Sequence, residues 1–355
     1  LEEKVGRGEK AATPGILSMS ASPELQRVAD EIWTRAKFPA SGALGAPRPS
    51  PLRDRIRVGY FSSEFHTHPV ALLTAGLFEA HDRSRFELTA FSSGPDTADE
   101  TRSRIKAAFE HFMDVRDMPD LEVASLARKL GIDIAIDLGG HTLESRTGVF
   151  AIRAAPVQAS YLGYLGTMGA GYIDYLIADP VIVPRGSRRY YAEKIAYLPS
   201  YQANDSQRRI ADRRFTRAEL GLPAGGFVFC CFNNSYKIIP PVFAGWMRIL
   251  ERVKGSVLLL YAETDSIKAN LRSEAARKGV DPARLVFASR LPLAEYIARY
   301  RMAGLFLDTA PYNAGTTASD PLWAVVPIPT RPGGTFDSRG PSGLFLVARA
   351  AVRGS

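Results

Sequence analysis

From Arg55 onward, short apolar runs alternate with amphipathic stretches, and this alternation limits the fold more than any other feature of the chain. Ile56 to Phe61 reads as a strand and Val70 to Ala80 as a helix; Phe86 to Ser92 is a strand, followed by helices over Asp99–Phe112 and Leu121–Leu130. Strands recur at Ile132–Leu138, Val157–Tyr161 and Tyr175–Ile177. A second series runs strand 227–232, helix 240–252, strand 256–261, helix 266–278, strand 284–288, helix 293–302, strand 304–308, helix 317–325 and strand 326–330. Strands separated by helices pair in parallel, with crossover helices covering both faces of the sheet. The expectation is an α/β protein of two Rossmann-like, doubly wound domains facing a cleft. At 355 residues the chain also exceeds what one core usually supports.

The N-terminal domain is expected over 53–190 and the C-terminal domain over 191–345, with the boundary inside the Pro/Arg/Asp-rich stretch Pro184–Arg217. Residues 1–52 form a helical preface and linker. Leu25, Val28, Ala29 and Ile32 have helical spacing after an N-cap at Ser22 and Pro23 at the first helical position. Pro39 to Pro51 is a linker by composition. No 34-residue repeat occurs, so a tetratricopeptide array is missing from this chain.

Composition removes several function classes. The only cysteines, Cys230 and Cys231, are adjacent within a predicted strand, which suits a reducing, cytoplasmic setting and leaves no thiolate metal motif. The longest apolar runs, such as Val257–Tyr261, are too short to span a bilayer, and Leu1–Lys4 begins no secretory signal. A chain beginning with Leu reads as a fragment. Lys and Arg exceed Asp and Glu by 45 to 37, with concentrations at Arg185–Arg189 and Arg208–Arg217. Neither is interleaved with aromatics, so no nucleic-acid partner is expected; the excess suits long-range steering of anionic nucleotides or acidic acceptor segments.

Ligands of open parallel sheets sit beyond the carboxyl ends of the strands. His66 and His68 follow the first strand, while Asp137 and His141 close the strand 132–138. Either His68 or His141 can take a proton from a hydroxyl near neutral pH, with Asp137 orienting His141 or acting by itself. The plain alternative for His68 is a cap on the helix starting at Pro69; for His141 it is a place in a Gly-Gly turn. His81 and His111, on or beside helices, lack such a setting. In the second series, Leu305–Trp323 reads as strand, Pro/Gly turn and a helix opened by Thr316-Thr317. Free N–H groups and the dipole at that helix start attract phosphate. Lys237 lies just past another strand, in Cys230–Lys237. A cation and a helix N-terminus at neighbouring strand ends suit a nucleoside diphosphate, with no metal required.

In sequence order, the blocks Val58–Pro69, Asp137–Thr142, Ala155–Thr167, Cys230–Lys237 and Leu305–Trp323 resemble the protein O-GlcNAc transferase family. They are also similar to its plant-type relatives, the SPINDLY-type protein O-fucosyltransferases. The resemblance implies a glycosyltransferase-B fold and inverting transfer of N-acetylglucosamine from UDP-GlcNAc to Ser/Thr hydroxyls of proteins. It further implies tetratricopeptide repeats upstream in a full-length protein. Taken with that resemblance, the catalytic candidates are His68, His141, Asp137 and Lys237, and the donor-binding candidates are Asn234, Tyr236, Lys237, Arg299, Asn313, Thr316, Thr317 and Asp320. Asp320 can instead be a first-turn dipole partner. Gly315, Leu293 and Tyr296 depart from the GlcNAc enzymes, which keeps GDP-fucose as the alternative donor. After Arg339, Gly340–Gly343 is expected to break a helix that the family continues, so a truncated, inactive nucleotide-binding module is the remaining alternative.

Overall fold

All pairings between strands are parallel, as the alternation requires. The computed structural model describes residues 2–9, 14–47 and 53–344, and the chain divides into two units between Ser206 and Gln207. In the first unit the elements are α1 (Glu2–Gly6), α2 (Pro23–Lys37), β1 (Ile56–Ser62), α3 (Pro69–Glu79), β2 (Phe86–Ser92), α4 (Glu100–Ala107), β3 (His111–Asp114) and α5 (Asp120–Lys129). They continue with β4 (Ile134–Asp137), α6 (Thr147–Ala151), β5 (Val157–Ser160), β6 (Tyr175–Ala178) and β7 (Lys194–Tyr197). The seven strands lie in the order β3-β2-β1-β4-β5-β6-β7. Phe61 sits opposite Phe91 on β2 and Asp137 on β4, and the two phenyl rings stack 4.2 Å apart in the core.

The second unit contains β8 (Val228–Cys231), α7 (Pro240–Arg252), β9 (Val257–Tyr261), α8 (Asp265–Arg277), β10 (Leu285–Ala288), α9 (Leu293–Arg299), β11 (Leu305–Phe306) and α10 (Thr316–Trp323). Its strand order is β10-β9-β8-β11. Cys230 and Cys231 are free and wholly buried with Leu258, Leu259 and Leu260 of the neighbouring strand. Among the described residues, no helix is long and apolar enough to cross a membrane.

Several expectations need correction. The helix expected over 99–112 stops at Ala107, and His111 begins β3, because Phe112 and its neighbours pair with β2 instead. The expected strand 326–330 does not form: Pro327 and Pro329 lack ladder N–H groups, Val326 N–H turns back to the Pro321 carbonyl at 2.7 Å, and the Pro327 carbonyl accepts from Phe306 N–H at 2.9 Å. The division between the units, after Ser206, lies inside the expected stretch Pro184–Arg217 but later than 190, because β7 pairs with β6 in the first sheet. Residues 340–344 are helical, with Pro341 in the first turn, where its missing N–H breaks no bond. The rest of the expected C-terminal domain, to 345, and the last part of the linker, 48–52, lie outside the described residues.

The preface belongs to the first unit. Ser22 caps α2 through Leu25 N–H. The helix then docks on the loop after β5: Tyr164 OH donates to Asp30 Oδ1 at 2.9 Å and Thr34 Oγ1 to the Met168 carbonyl at 2.7 Å. Gly169 makes this contact possible, since its φ is +60° and a Cβ there would lie 2.4 Å from Glu31 N.

Candidate active site

In the first unit the proposed groups follow the carboxyl ends of β1 and β4, which are neighbours in the sheet. The chain leaves β1 through Ser62, whose hydroxyl accepts the Glu64 N–H at 2.9 Å. This turn buries Glu64 and places its Oε2 3.0 Å from His68 Nδ1. His68 is also the N-cap of α3, accepting from Val70 N–H at 3.4 Å, so the capping role read from the sequence is present. Its side chain stays 37% exposed, which leaves it open to a ligand.

Asp137 ends β4 and is buried. Its Oδ1 accepts from Gly139 and Gly140 N–H at 2.9 and 3.0 Å, while Oδ2 has no hydrogen-bond partner. Burial pushes its carboxyl up to about 6, the Gly140 and Gly139 N–H groups oppose this, and the Glu64 charge adds to it. The turn after Asp137 is tight against the loop after β5; a Cβ at Gly163 would lie 1.9 Å from the Leu138 carbonyl oxygen.

Asp137 does not orient His141 by a hydrogen bond. His141 Nε2 instead lies 3.0 Å from the Met168 carbonyl and 3.1 Å from Thr34 Oγ1 on α2, and its ring meets Tyr164 edge-on. Because the Thr34 proton goes to the same carbonyl, Nε2 is the protonated nitrogen. Nδ1 is buried without a partner. Burial lowers the imidazole to about 4, opposed by the Met168 carbonyl and aided by Lys37. His141 also lines a pocket of about 310 Å³ with Trp33, Lys37 and Phe38. Thr34 was not legible as its partner, because it lies 107 residues away in sequence.

In the second unit, Lys237 follows β8 in a 3₁₀ turn and is 7% exposed. Its Nζ donates to the Asn313 carbonyl at 3.1 Å and lies 3.7 Å from the centre of the Tyr312 ring. Burial lowers the ammonium to about 8, opposed by Asp308, Asp337 and Cys231. A lysine ammonium has three donors, so two remain for a ligand. Thr316 and Thr317 open α10 after Gly315, where the first backbone N–H groups lack intrahelical acceptors. The Thr317 hydroxyl is already used, donating to Asn233 Oδ1. Asn234 and Tyr236 are exposed beside Lys237.

Three further donor-side assignments land in the interior. Asp320 has both oxygens engaged, Oδ1 by Arg208 and Oδ2 by Tyr296 OH at 3.0 Å; burial raises its carboxyl and the Arg208 charge opposes this. It therefore ties α10 to the unit rather than acting as a simple first-turn dipole partner. Arg299 is 1% exposed, lies over the Phe232 ring at 4.5 Å and donates to the Ser289 carbonyl at 2.6 Å. Asn313 Nδ2 donates to Asp308 and to Thr330 Oγ1. Asp308, Asn233 and Tyr312 are the site-shaping residues that sequence reasoning did not single out. Among the described residues, no group of three or more His, Cys, Asp or Glu is placed to hold a metal ion.

The two units, each built on a parallel α/β sheet, have the glycosyltransferase-B fold, which rests on a structural match to a bacterial O-GlcNAc transferase. The sequence profile of glycosyl transferase family 41 matches residues 46–213 and 202–348, and the chain belongs to that family. It is 37% identical over 284 residues to the Arabidopsis thaliana protein named "Probable UDP-N-acetylglucosamine–peptide N-acetylglucosaminyltransferase SEC", covering 78% of this chain and 29% of that one. The Caenorhabditis elegans UDP-N-acetylglucosamine–peptide N-acetylglucosaminyltransferase is 26% identical, over 80% of this chain and 35% of its own length. An O-GlcNAc transferase variant of Thermobaculum terrenum superposes with a TM-score of 0.81 at 29% identity, over 94% of this chain and 66% of that structure. The chain thus spans about a third of the length of these curated relatives.

Proposed function

We propose that this chain moves N-acetylglucosamine from UDP-GlcNAc to Ser or Thr hydroxyls of proteins with inversion. The hydroxyl oxygen attacks the anomeric carbon, the bond to the β-phosphate oxygen breaks, UDP leaves with the electron pair, and the hydroxyl proton passes to a base. The observation that carries this reading is the buried Lys237 ammonium beside the loop that leads into α10. A fixed cation and a helix N-terminus stabilise the charge growing on the leaving diphosphate more than the charge of the ground state. That arrangement supports a metal-independent reaction.

His68 suits the base best of the three acceptor-side candidates. Its ring is partly exposed beside the Glu64 carboxylate, whereas both His141 nitrogens are buried or hydrogen-bonded and Asp137 is enclosed. The reading extends to the cytoplasm, which the two free cysteines suit, and to tetratricopeptide repeats upstream of the chain.

Thermal-shift measurement with UDP, GDP and NAD tests the donor. A ligand at 100 times its dissociation constant stabilises by about 2.7 kcal/mol. UDP is expected to protect most, and radiolabelled UDP-GlcNAc is expected to label a Ser/Thr peptide. Stronger protection by GDP would transfer the reading to a fucosyl donor.

A further inference from the structure

Lys237 and the first turn of α10 come from different parts of the second unit, and one buried amide joins them. Asn233 is 1% exposed. Its Nδ2 donates to Thr309 Oγ1 at 2.8 Å, and the Thr309 hydroxyl in turn donates to the Tyr312 carbonyl at 2.7 Å. Tyr312 supplies the ring under Lys237 Nζ, and the next residue, Asn313, supplies the carbonyl that accepts from it. On its other side, Asn233 Oδ1 accepts the Thr317 hydroxyl proton. Each proton in this chain has one direction, because the Thr309 hydroxyl has already given its own. Only a side chain with a donor at one end and an acceptor at the other completes it.

We propose that Asn233 is a positioning residue for the diphosphate: it fixes the lysine-bearing loop and the start of α10 at the spacing a diphosphate needs. The proposal rests on the donor-site reading above. It also assigns the two threonines different parts. With its proton given to Asn233, Thr317 presents a backbone N–H to the ligand, while Thr316 keeps a hydroxyl for it.

Calorimetry with UDP and with uridine, together with melting temperatures, separates positioning from general damage. Asn233→Ala and Thr317→Val are each expected to weaken UDP binding about fivefold to tenfold, the worth of one or two hydrogen bonds, with uridine affinity unchanged. The double variant is expected to bind UDP as Asn233→Ala does, because both substitutions remove the same link. Parallel loss of uridine and UDP affinity, fully additive effects, or unchanged UDP affinity would each overturn the proposal. If Asn233→Ala does not fold, the near-isosteric Thr317→Val carries the test alone: selective UDP loss supports the proposal, and no loss overturns it. A wild-type chain that binds GDP rather than UDP refutes the donor reading, and the comparison is then made with GDP and guanosine. A wild-type chain that binds neither diphosphate refutes both.

Discussion

Replacing Lys237 by Met should stabilise the free protein while removing its affinity for diphosphate. Burial lowers the ammonium from its ordinary 10.5 to about 8, which corresponds to about 3 kcal/mol against the charged form at neutral pH. Methionine fills similar space without a charge. It forgoes the bond to the Asn313 carbonyl, about 1 kcal/mol, and the contact over Tyr312, about 1 kcal/mol. A net gain of about 1 kcal/mol remains, or about 2–4 °C in melting temperature. UDP affinity should fall about a hundredfold, the scale on which a fixed anion-stabilising donor acts. The pH dependence adds a second check. The unfolded chain holds this proton up to 10.5 and the folded chain only to about 8, so wild-type stability gains from this residue as pH rises through that window. UDP affinity should fall over the same range, as the cation is lost, and Lys237→Met should show neither slope. A variant melting several degrees below wild type would refute the reasoning and make Lys237 a structural tie.

Val325→Gly should raise the urea midpoint. Val325 has φ +62°, is 88% exposed and closes the end of α10 through its N–H to Leu322 O, with Val326 N–H reaching Pro321 O. A left-handed L-residue costs about 1–2 kcal/mol and glycine returns about 0.5–1 through unfolded-state entropy, so about 0.5–1 kcal/mol is gained, and a lowered midpoint would contradict this. Asp137→Asn should stabilise the fold at pH 8. The wild-type carboxyl is held at about 6, so its burial penalty is present above that pH and relieved as pH falls toward 3.8; an advantage that persists unchanged at pH 3.5 would count against burial as the cause. UDP binding should survive a chelator, and a strict requirement for Mg²⁺ or Mn²⁺ in calorimetry would displace Lys237 from its proposed role.

The architecture was legible because parallel strands buried on both faces read as continuous apolar runs, as in Val257–Tyr261, and helices announce their starts, as Ser22-Pro23 does for α2. Short elements were legible only in part: β5 and β6, four residues each, were anticipated, whereas others were not. β3 and β7 span four residues each and form by pairing at the two ends of the sheet rather than from their own pattern, and α6 spans five residues. At the candidate site, the hydrogen-bond partners were not legible. His141 depends on Thr34, and Lys237 on a carbonyl 76 residues away, neither of which has a local signal.

Hydrogen-bond capacity then orders the donor-side candidates more sharply than proximity does. A donor used inside the protein is withheld from a ligand unless the site rearranges. Asp320, with both oxygens engaged by Arg208 and Tyr296, can contribute only by holding α10 in place, whereas Arg299, enclosed over Phe232, keeps its Nε without a partner. Asn313 gives its amide protons to Asp308 and Thr330, so its carbonyl, not its side chain, serves the site by accepting from Lys237. What remains for the proposed diphosphate contact is the Lys237 ammonium, the backbone N–H groups at the start of α10 and the Thr316 hydroxyl; the exposed Tyr236 is already hydrogen-bonded to Asn234 and Tyr312. The two groups with the strongest claim on negative charge, the cation and the helix start, are those joined through Asn233, so on the proposed reading affinity for the leaving group depends on a residue that never touches it.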